Sequence, residues 1–266
     1  MDQGIQLILS EFERRNLLNR TLILYTSDNG IPFPSGRTNL YDPGMKEPLI
    51  LVNPLKPQSH GLRTEALSSL LDLTPTVLHW FGLQYPGYKI FRSKAYHRAR
   101  MSGRSLLPLT TTRNLRRSSR QFRRWLYSSH SLHEISMYYP MRVVRSRRYK
   151  LIQNLNYRMP FPIDQDFYIS PTFQDLLNRT QAHLPTLWYK DISGYYFRPE
   201  WELYDLKRDP HELRNLADEQ SFAKMREQLR KWRVKTDDPW LCAPEAVLEN
   251  TRPFHFQPVC MPLYND

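Results

Sequence analysis

Residues 21–37 read TLILYTSDNGIPFPSGR. The opening TLILYT is apolar or β-branched with no polar alternation, as a strand buried on both faces is, and Tyr25 is its last apolar residue before the turn. Ser27-Asp28-Asn29-Gly30 follows. These are turn residues, because Asp and Asn tolerate the left-handed region and Gly enters it freely. A loop stiffened by Pro32 and Pro34 then carries Arg37. A buried strand ending on a carboxylate and an amide fits an open α/β sheet, whose ligands bind beyond the carboxyl ends of the strands. Asp28 and Asn29 offer hard oxygens suited to Ca²⁺ or Mg²⁺, yet two residues are too few for a site. Taken alone, the tetrapeptide reads more readily as a plain turn.

Around this stretch the first part of the chain alternates helix and strand. MDQGIQLILSEFERR places Ile5, Ile8, Leu9 and Phe12 at helical spacing, predicting an amphipathic core helix over 3–16. EPLILVNP at 47–54 predicts a second short, continuously apolar strand, so the expected sheet is parallel and covered by helices. LLDLTPTVLHWFGL at 70–83 predicts a helix with Thr74 as N-cap, Pro75 at its first position and Gly82 closing it. Later segments differ. YYPMRVVRSRRYKLIQNL at 138–155 reads as a hairpin or long strand and WELYDL at 201–206 as another strand. DPHELRNLAD then turns into a last helix with Phe222, Met225, Leu229 and Trp232 on one face. The expected organisation is an α/β portion over 1–126 followed by a smaller α+β domain, with an antiparallel sheet and a packing helix, over 127–266.

The 266 residues are 40% apolar and 13% aromatic, which excludes wholesale disorder, and 21 prolines against 9 glycines predict many stiff loops. No apolar run is long enough to cross a bilayer, and the first residues lack the basic and apolar regions of a signal peptide. The net charge of +12 is local: residues 98–150 hold fourteen Lys or Arg against the single acid Glu134. Within it, RNLRRSSRQFRR at 113–124 has neither helical nor strand periodicity and is expected to be a solvated surface loop. The sharper reading is contact with a polyanion, either a sulfated glycan or, given Phe122, Trp125 and Tyr127 among the arginines, nucleic acid. Cys242 and Cys260 are the chain's two cysteines. They would pair in an oxidising compartment and stay free thiols in the cytosol. Sequons at Asn19-Arg20-Thr21 and Asn178-Arg179-Thr180 favour the secretory route and mark Asn19 and Asn178 as glycan acceptors.

The SDNG turn, the loop IPFPSGRTNLYDPGMKEPLI and the helix around DLTPTVL resemble the C-terminal half of the catalytic domain of sulfatases, in the alkaline-phosphatase-like superfamily. YKLIQN and ELYDLKRDPHELRNLA resemble that family's small C-terminal domain. More narrowly, SDNGIPFPSGRTNLY, YPMR, MPFPIDQDFYISPTFQDLLNRT and DPWLCAP resemble members that hydrolyse the N-sulfate of terminal glucosamine in heparan sulfate degradation. The resemblance covers nearly the whole chain and leaves 113–124 as an insertion. It implies that Asp28 and Asn29 are two ligands of an active-site Ca²⁺ and that Arg37 contacts the sulfate-bearing group. It also implies that Cys242 and Cys260 form a structural disulfide, that the location is lysosomal and that a homodimer is compatible with the family. The chemistry agrees, since a guanidinium presents a planar fork to sulfamate oxygens while a divalent ion draws charge from another of them.

Sulfatases use a formylglycine made from the cysteine of a C-x-P-S-R motif. The nearest approach here is Cys242-Ala243-Pro244-Glu245-Ala246, which lacks the Ser and the Arg. The family's N-terminal Asp-Asp pair and its catalytic Lys and His residues have no counterpart either. The expectation is therefore a truncated sulfatase with no catalytic residue of its own, inactive alone. The alternatives are a non-catalytic remnant that binds heparan sulfate through its basic region and, disfavoured, a nucleic-acid-binding protein. His133 and Glu134 read equally as pocket residues or as a satisfied structural pair and are not counted as site residues.

Overall fold

The computed structural model describes residues 1–85, 101–111, 115–133, 137–217, 220–249 and 259–263. In chain order these form α1 (Asp2–Arg14), β1 (Ile23–Thr26), α2 (Asp42–Met45), β2 (Leu49–Val52), α3 (Leu73–Trp80), α4 (Leu107–Thr111), α5 (Leu115–Phe122), β3 (Leu126–His133), β4 (Met137–Arg145), β5 (Tyr149–Asn154), α6 (Gln165–Tyr168), α7 (Pro171–Gln181), α8 (Ile192–Tyr196), β6 (Trp201–Asp205), α9 (Gln220–Lys235), β7 (Ala246–Glu249) and β8 (Val259–Pro262). The chain divides into two compact units, one of residues 1–28 with 48–124, the other of residues 29–47 with 125–266.

In the first unit β1 and β2 pair antiparallel, with Ile23 opposite Val52 and Thr26 opposite Leu49. This corrects the expected parallel sheet. The segment between these strands holds the four-residue α2 and no longer helix of the kind that usually carries a parallel crossover. Nor are the strands buried on both faces: Ile50 is 54% exposed. The same holds for α1, where Ile8 is 58% exposed and none of the helix is buried, so the expected core helix has its apolar face uncovered among the described residues.

Entry to α3 is also corrected. A 3₁₀ turn over Leu70–Asp72 precedes it, with the Ser69 hydroxyl accepting from the Leu71 N–H and the Asp72 carboxylate accepting from the Ser69 N–H, so Ser69 rather than Thr74 caps the turn. Gly82 closes α3 as expected, at φ +66°, where a side chain would be strained. Asp72 is fully buried and takes two bonds of 2.7 Å from Arg123 and one of 2.8 Å from the Arg104 N–H. The described part of the basic stretch is thus not all loop. Residues 115–122 form α5, in keeping with the good helix propensity of Arg, and Arg123 beyond it is an internal ion-pair partner.

The second unit is built on the antiparallel sheet β3-β4-β5-β6. The hairpin expected over 138–155 and the strand expected over 201–206 are its three consecutive strands β4, β5 and β6. Because side chains alternate across a strand, Tyr139, Met141, Val143, Ile152 and Tyr204 meet Phe161, Phe167, Phe173 and Tyr195 on one face. Val144, Leu151 and Leu203 meet Met225 and Leu229 of α9 on the other, with Phe222 and Trp232 at the edge as their spacing predicted. Trp125 and Tyr127 pack against this second cluster, Tyr127 stacked on Trp232 at 5.1 Å. The Tyr127 face stacked on Trp232 is thereby occupied.

Residues 29–47 pack into this unit. Leu40 and Tyr41 enter its first core cluster. The ammonium of Lys150, fully buried on β5, lies 2.5 Å from Asp42, 2.6 Å from Glu212 and 3.2 Å from the Leu40 carbonyl. Arg145 reaches Asp42 at 2.5 Å, and Glu212 in turn accepts from the Asp42 N–H at 2.6 Å. Tyr41 donates to Glu202 at 2.7 Å, and Arg198 donates to Asn39 at 2.6 Å while its guanidinium covers the Phe161 ring. Gly30 and Gly44 permit the fold of the segment: a Cβ on Gly30 would stand 1.9 Å from the Pro43 carbonyl oxygen. Other basic residues of 98–150 are spent in the same way, Arg142 on Asp238 at 2.8 Å and Arg148 on Asp205 at 2.7 Å.

Burial raises the Asp42 carboxyl, but Lys150 and Arg145 outweigh it and hold the group below the usual carboxylate range. Burial wins at Glu212, which is raised despite Lys150. Replacing Lys150 by Met leaves two carboxylates without their buried cation, and the expected loss is about 3–5 kcal/mol in urea denaturation followed by Trp fluorescence. Because Asp42 has a depressed folded value, its contribution is present above an unfolded pKa of about 4 and disappears as pH falls through the folded value. The stability advantage of the parent chain over Asp42→Asn should therefore hold near neutrality and shrink below about pH 4. An advantage that grows on acidification would refute the assignment.

Candidate functional site

Arg37 lies in a tightly wound part of the 29–47 segment. The Gly36 N–H donates to the Phe33 carbonyl at 2.8 Å and the Arg37 N–H to the Ile31 carbonyl at 3.0 Å. Ser35 at φ +64° and Thr38 at φ +69° flank it in the left-handed region, which costs a non-glycine residue about 1–3 kcal/mol. That strain is held by the surrounding structure: Ser35 is fully buried and Asn39, two residues on from Arg37, is fixed by Arg198 and Tyr195.

All three nitrogens of the guanidinium have partners. Nε is 3.3 Å from Asp164 Oδ2, Nη1 donates to Asp166 at 3.1 Å, and Nη2 donates to His133 Nε2 at 3.0 Å. Arginine has no acceptor, so the imidazole Nε2 accepts in this pairing. The same Nε2 lies 3.3 Å from Asp164 Oδ2. The two carboxylates differ in setting. The Asp164 side chain is 4% exposed and its Oδ1 accepts from the Asp166 N–H at 2.9 Å as the cap of α6, whereas the Asp166 side chain is 64% exposed. Asp164 Oδ2 is buried against Arg37 Nε and His133 Nε2, with no aligned hydrogen bond.

Asp28, two residues beyond β1, is exposed, and Asn29 is half-buried with its amide nitrogen donating to the Gly30 carbonyl at 2.7 Å. In kind, a carboxylate and an amide carbonyl fit a hard divalent cation. Among the described residues no three His, Cys, Asp or Glu side chains gather as a metal site, so these two positions are part of a donor set at most. Cys242 and Cys260 are bonded to each other. Asn19 and Asn178 are both exposed, Asn178 on α7. Glu134 lies outside the described residues.

Sequence reasoning left out Asp164 and Asp166 altogether and set His133 aside. The available signal was PIDQDFY at 162–168, where an Asp just before a short helix is a capping pattern. Nothing local, however, tells that this cap faces an arginine 127 positions earlier in the chain.

Residues 1–83 match the sulfatase family model, and residues 166–237 match the model described as N-sulphoglucosamine sulphohydrolase, C-terminal. Human N-sulphoglucosamine sulphohydrolase is 53% identical over the whole of this chain, which covers 51% of that protein. An ulvan-active sulfatase of Formosa agariphila is 29% identical over 94% of this chain and 39% of its own length. The chain thus spans about half the length, or less, of these curated relatives. Among solved structures, a protein in complex with its substrate D-glucosamine-2-N,6-O-disulfate aligns over 89% of this chain and 38% of its own, with a TM-score of 0.54 and 22% identity. A 2-O GAG sulfatase aligns over 83% of this chain and 37% of its own, with a TM-score of 0.52 and 20% identity. These two likenesses establish the fold: a mixed α/β chain with small antiparallel sheets, matching part of a sulfatase.

The paired cysteines give a direct test. Alkylation of the denatured, unreduced chain should add no label, and alkylation after reduction should add two, because neither thiol is free. A single label before reduction would mean a cysteine available for other chemistry.

Proposed function

We infer that this chain, which belongs to the sulfatase family, supplies the C-terminal part of an N-sulfoglucosamine sulfohydrolase acting on terminal N-sulfated glucosamine of heparan sulfate. The observation that carries this reading is the 53% identity to the human enzyme in an alignment that covers the whole chain. Within it Arg37 is the residue that grips the anionic group, held by a strained loop and by Asp164. Asp28 and Asn29 are two of the ligands for a calcium ion, which when bound would draw charge from a sulfamate oxygen. No nucleophile is supplied here, since both cysteines are committed to a disulfide and neither lies in a C-x-P-S-R motif. The reading also carries a lysosomal location, glycans on Asn19 and Asn178 and the homodimer common in the family. A second reading, a heparan sulfate-binding remnant, draws on the exposed Arg117 and Arg120 of α5.

Two proteins test this. The chain alone, given Ca²⁺, should release no sulfate from N-sulfoglucosamine. Joined to the preceding half of the human relative, it should restore hydrolysis, and a folded but inactive chimera would overturn the reading. In that chimera Arg37→Lys keeps the charge but loses the planar two-point grip, for an expected ten- to hundredfold fall in kcat/KM, about 1.5–3 kcal/mol. Asp28→Ala should abolish activity and be recoverable, in part, only by raised Ca²⁺. Equal behaviour of the two variants across a calcium titration would contradict separate roles. Heparin affinity retained by the chain alone, with an inactive chimera, would favour the second reading.

A further inference from the structure

Two carboxylates stand against Arg37, which is at odds with a side chain meant to bind an anion. Their settings resolve the conflict. Asp164 is buried, fixed through Oδ1 by the Asp166 N–H, and touches both Arg37 and His133 through Oδ2. Asp166 meets Arg37 through one 3.1 Å bond at Nη1 and is mostly in water. An ion pair of that exposure is worth at most about a fivefold equilibrium factor, so it yields readily to a better acceptor. The buried contact to Nε does not, because releasing it would leave a carboxylate in the interior without a counter-charge.

We propose that Asp166 is an internal stand-in for the anionic group at Arg37, displaced from Nη1 when a sulfate-type anion binds, while Asp164 and His133 keep the guanidinium in place. Asp166 is in this sense a tuning residue that weakens anion binding, and Asp164 a positioning residue. The proposal rests on the reading of Arg37 as the anion grip, and it goes beyond that reading by assigning opposite effects to two carboxylates two positions apart.

The test uses the chain itself and inorganic sulfate, with no need for turnover. The Nε–Hε resonance of Arg37, assigned by its loss in Arg37→Lys, is followed by NMR through a sulfate titration at constant ionic strength and pH. Asp166→Asn should tighten sulfate about two- to fivefold. Asp175→Asn is the control, since Asp175 is another exposed aspartate paired with an arginine in the same unit and its replacement changes the net charge equally. Its midpoint should match the parent chain. Asp164→Asn should broaden or move the Arg37 resonance before any sulfate is added. If the resonance responds to sulfate with one midpoint in the parent chain, Asp166→Asn and Asp175→Asn, the displacement is wrong although the grip stands. If both Asp→Asn variants tighten equally, the effect is net charge alone and the proposal fails. If the resonance never responds, the reading of Arg37 fails and the proposal with it.

Discussion

A fully buried lysine organises the second unit. Lys150 is set by the hydrogen-bonded pairing of β5 with both its neighbours, and its ammonium has nowhere to go but the carboxylates of Asp42 and Glu212. Desolvating three charges costs free energy that their attraction recovers only with good geometry, so the arrangement is better understood as specifying position than as adding stability. The position it specifies is that of residues 39–42. Once Asp42 is tied to Lys150 and Arg145, Tyr41 lies against Glu202 and Asn39 against Arg198, and the strained turn carrying Arg37 begins two residues away. The candidate site is therefore located by a charge on the sheet rather than by the loop's own sequence.

Much of the second unit was legible in the sequence because its signals are local. The hairpin declares itself by two apolar runs around Ser146-Arg147-Arg148, and α9 by four apolar residues on one helical face. What failed was non-local or depended on competition between neighbours. The continuous apolar character of β1 and β2 says that they prefer burial, but neither which partner supplies it nor the direction in which the two strands pair. Thr74-Pro75 is a sound N-terminal signal, yet Ser69 with Asp72 three residues later forms a reciprocal cap one turn earlier and wins. At the candidate site Arg37 is singled out by resemblance alone, whereas Asp164 and Asp166 are not singled out at all, since a capping aspartate carries no mark of its distant partner.

Charge shows the same division between sequence and space. A run of fourteen basic residues with one acid looks like a polyanion surface when counted along the chain. In three dimensions Arg123 answers Asp72, Arg142 answers Asp238, Arg145 and Lys150 answer Asp42, and Arg148 answers Asp205. Acids from other parts of the sequence meet the run, and an electrostatic reading drawn from one window overstates the field that a ligand would feel.

The division of the chain into two units has a consequence for the order in which it is made. Residues 29–47 leave the first unit, join the second and return, so they are synthesised with neighbours they do not pack against. The backbone amide of Asp42 bonds to Glu212, which follows it by 170 residues. At a synthesis rate of about 5–20 residues per second, this segment waits on the order of 10–30 seconds outside the ribosome before its carboxylate partner exists. Arg145 and Lys150, which follow Asp42 by 103 and 108 residues, can neutralise its carboxylate earlier, so the segment acquires its partners in two stages, the cations of the sheet first and the Glu212 acceptor last.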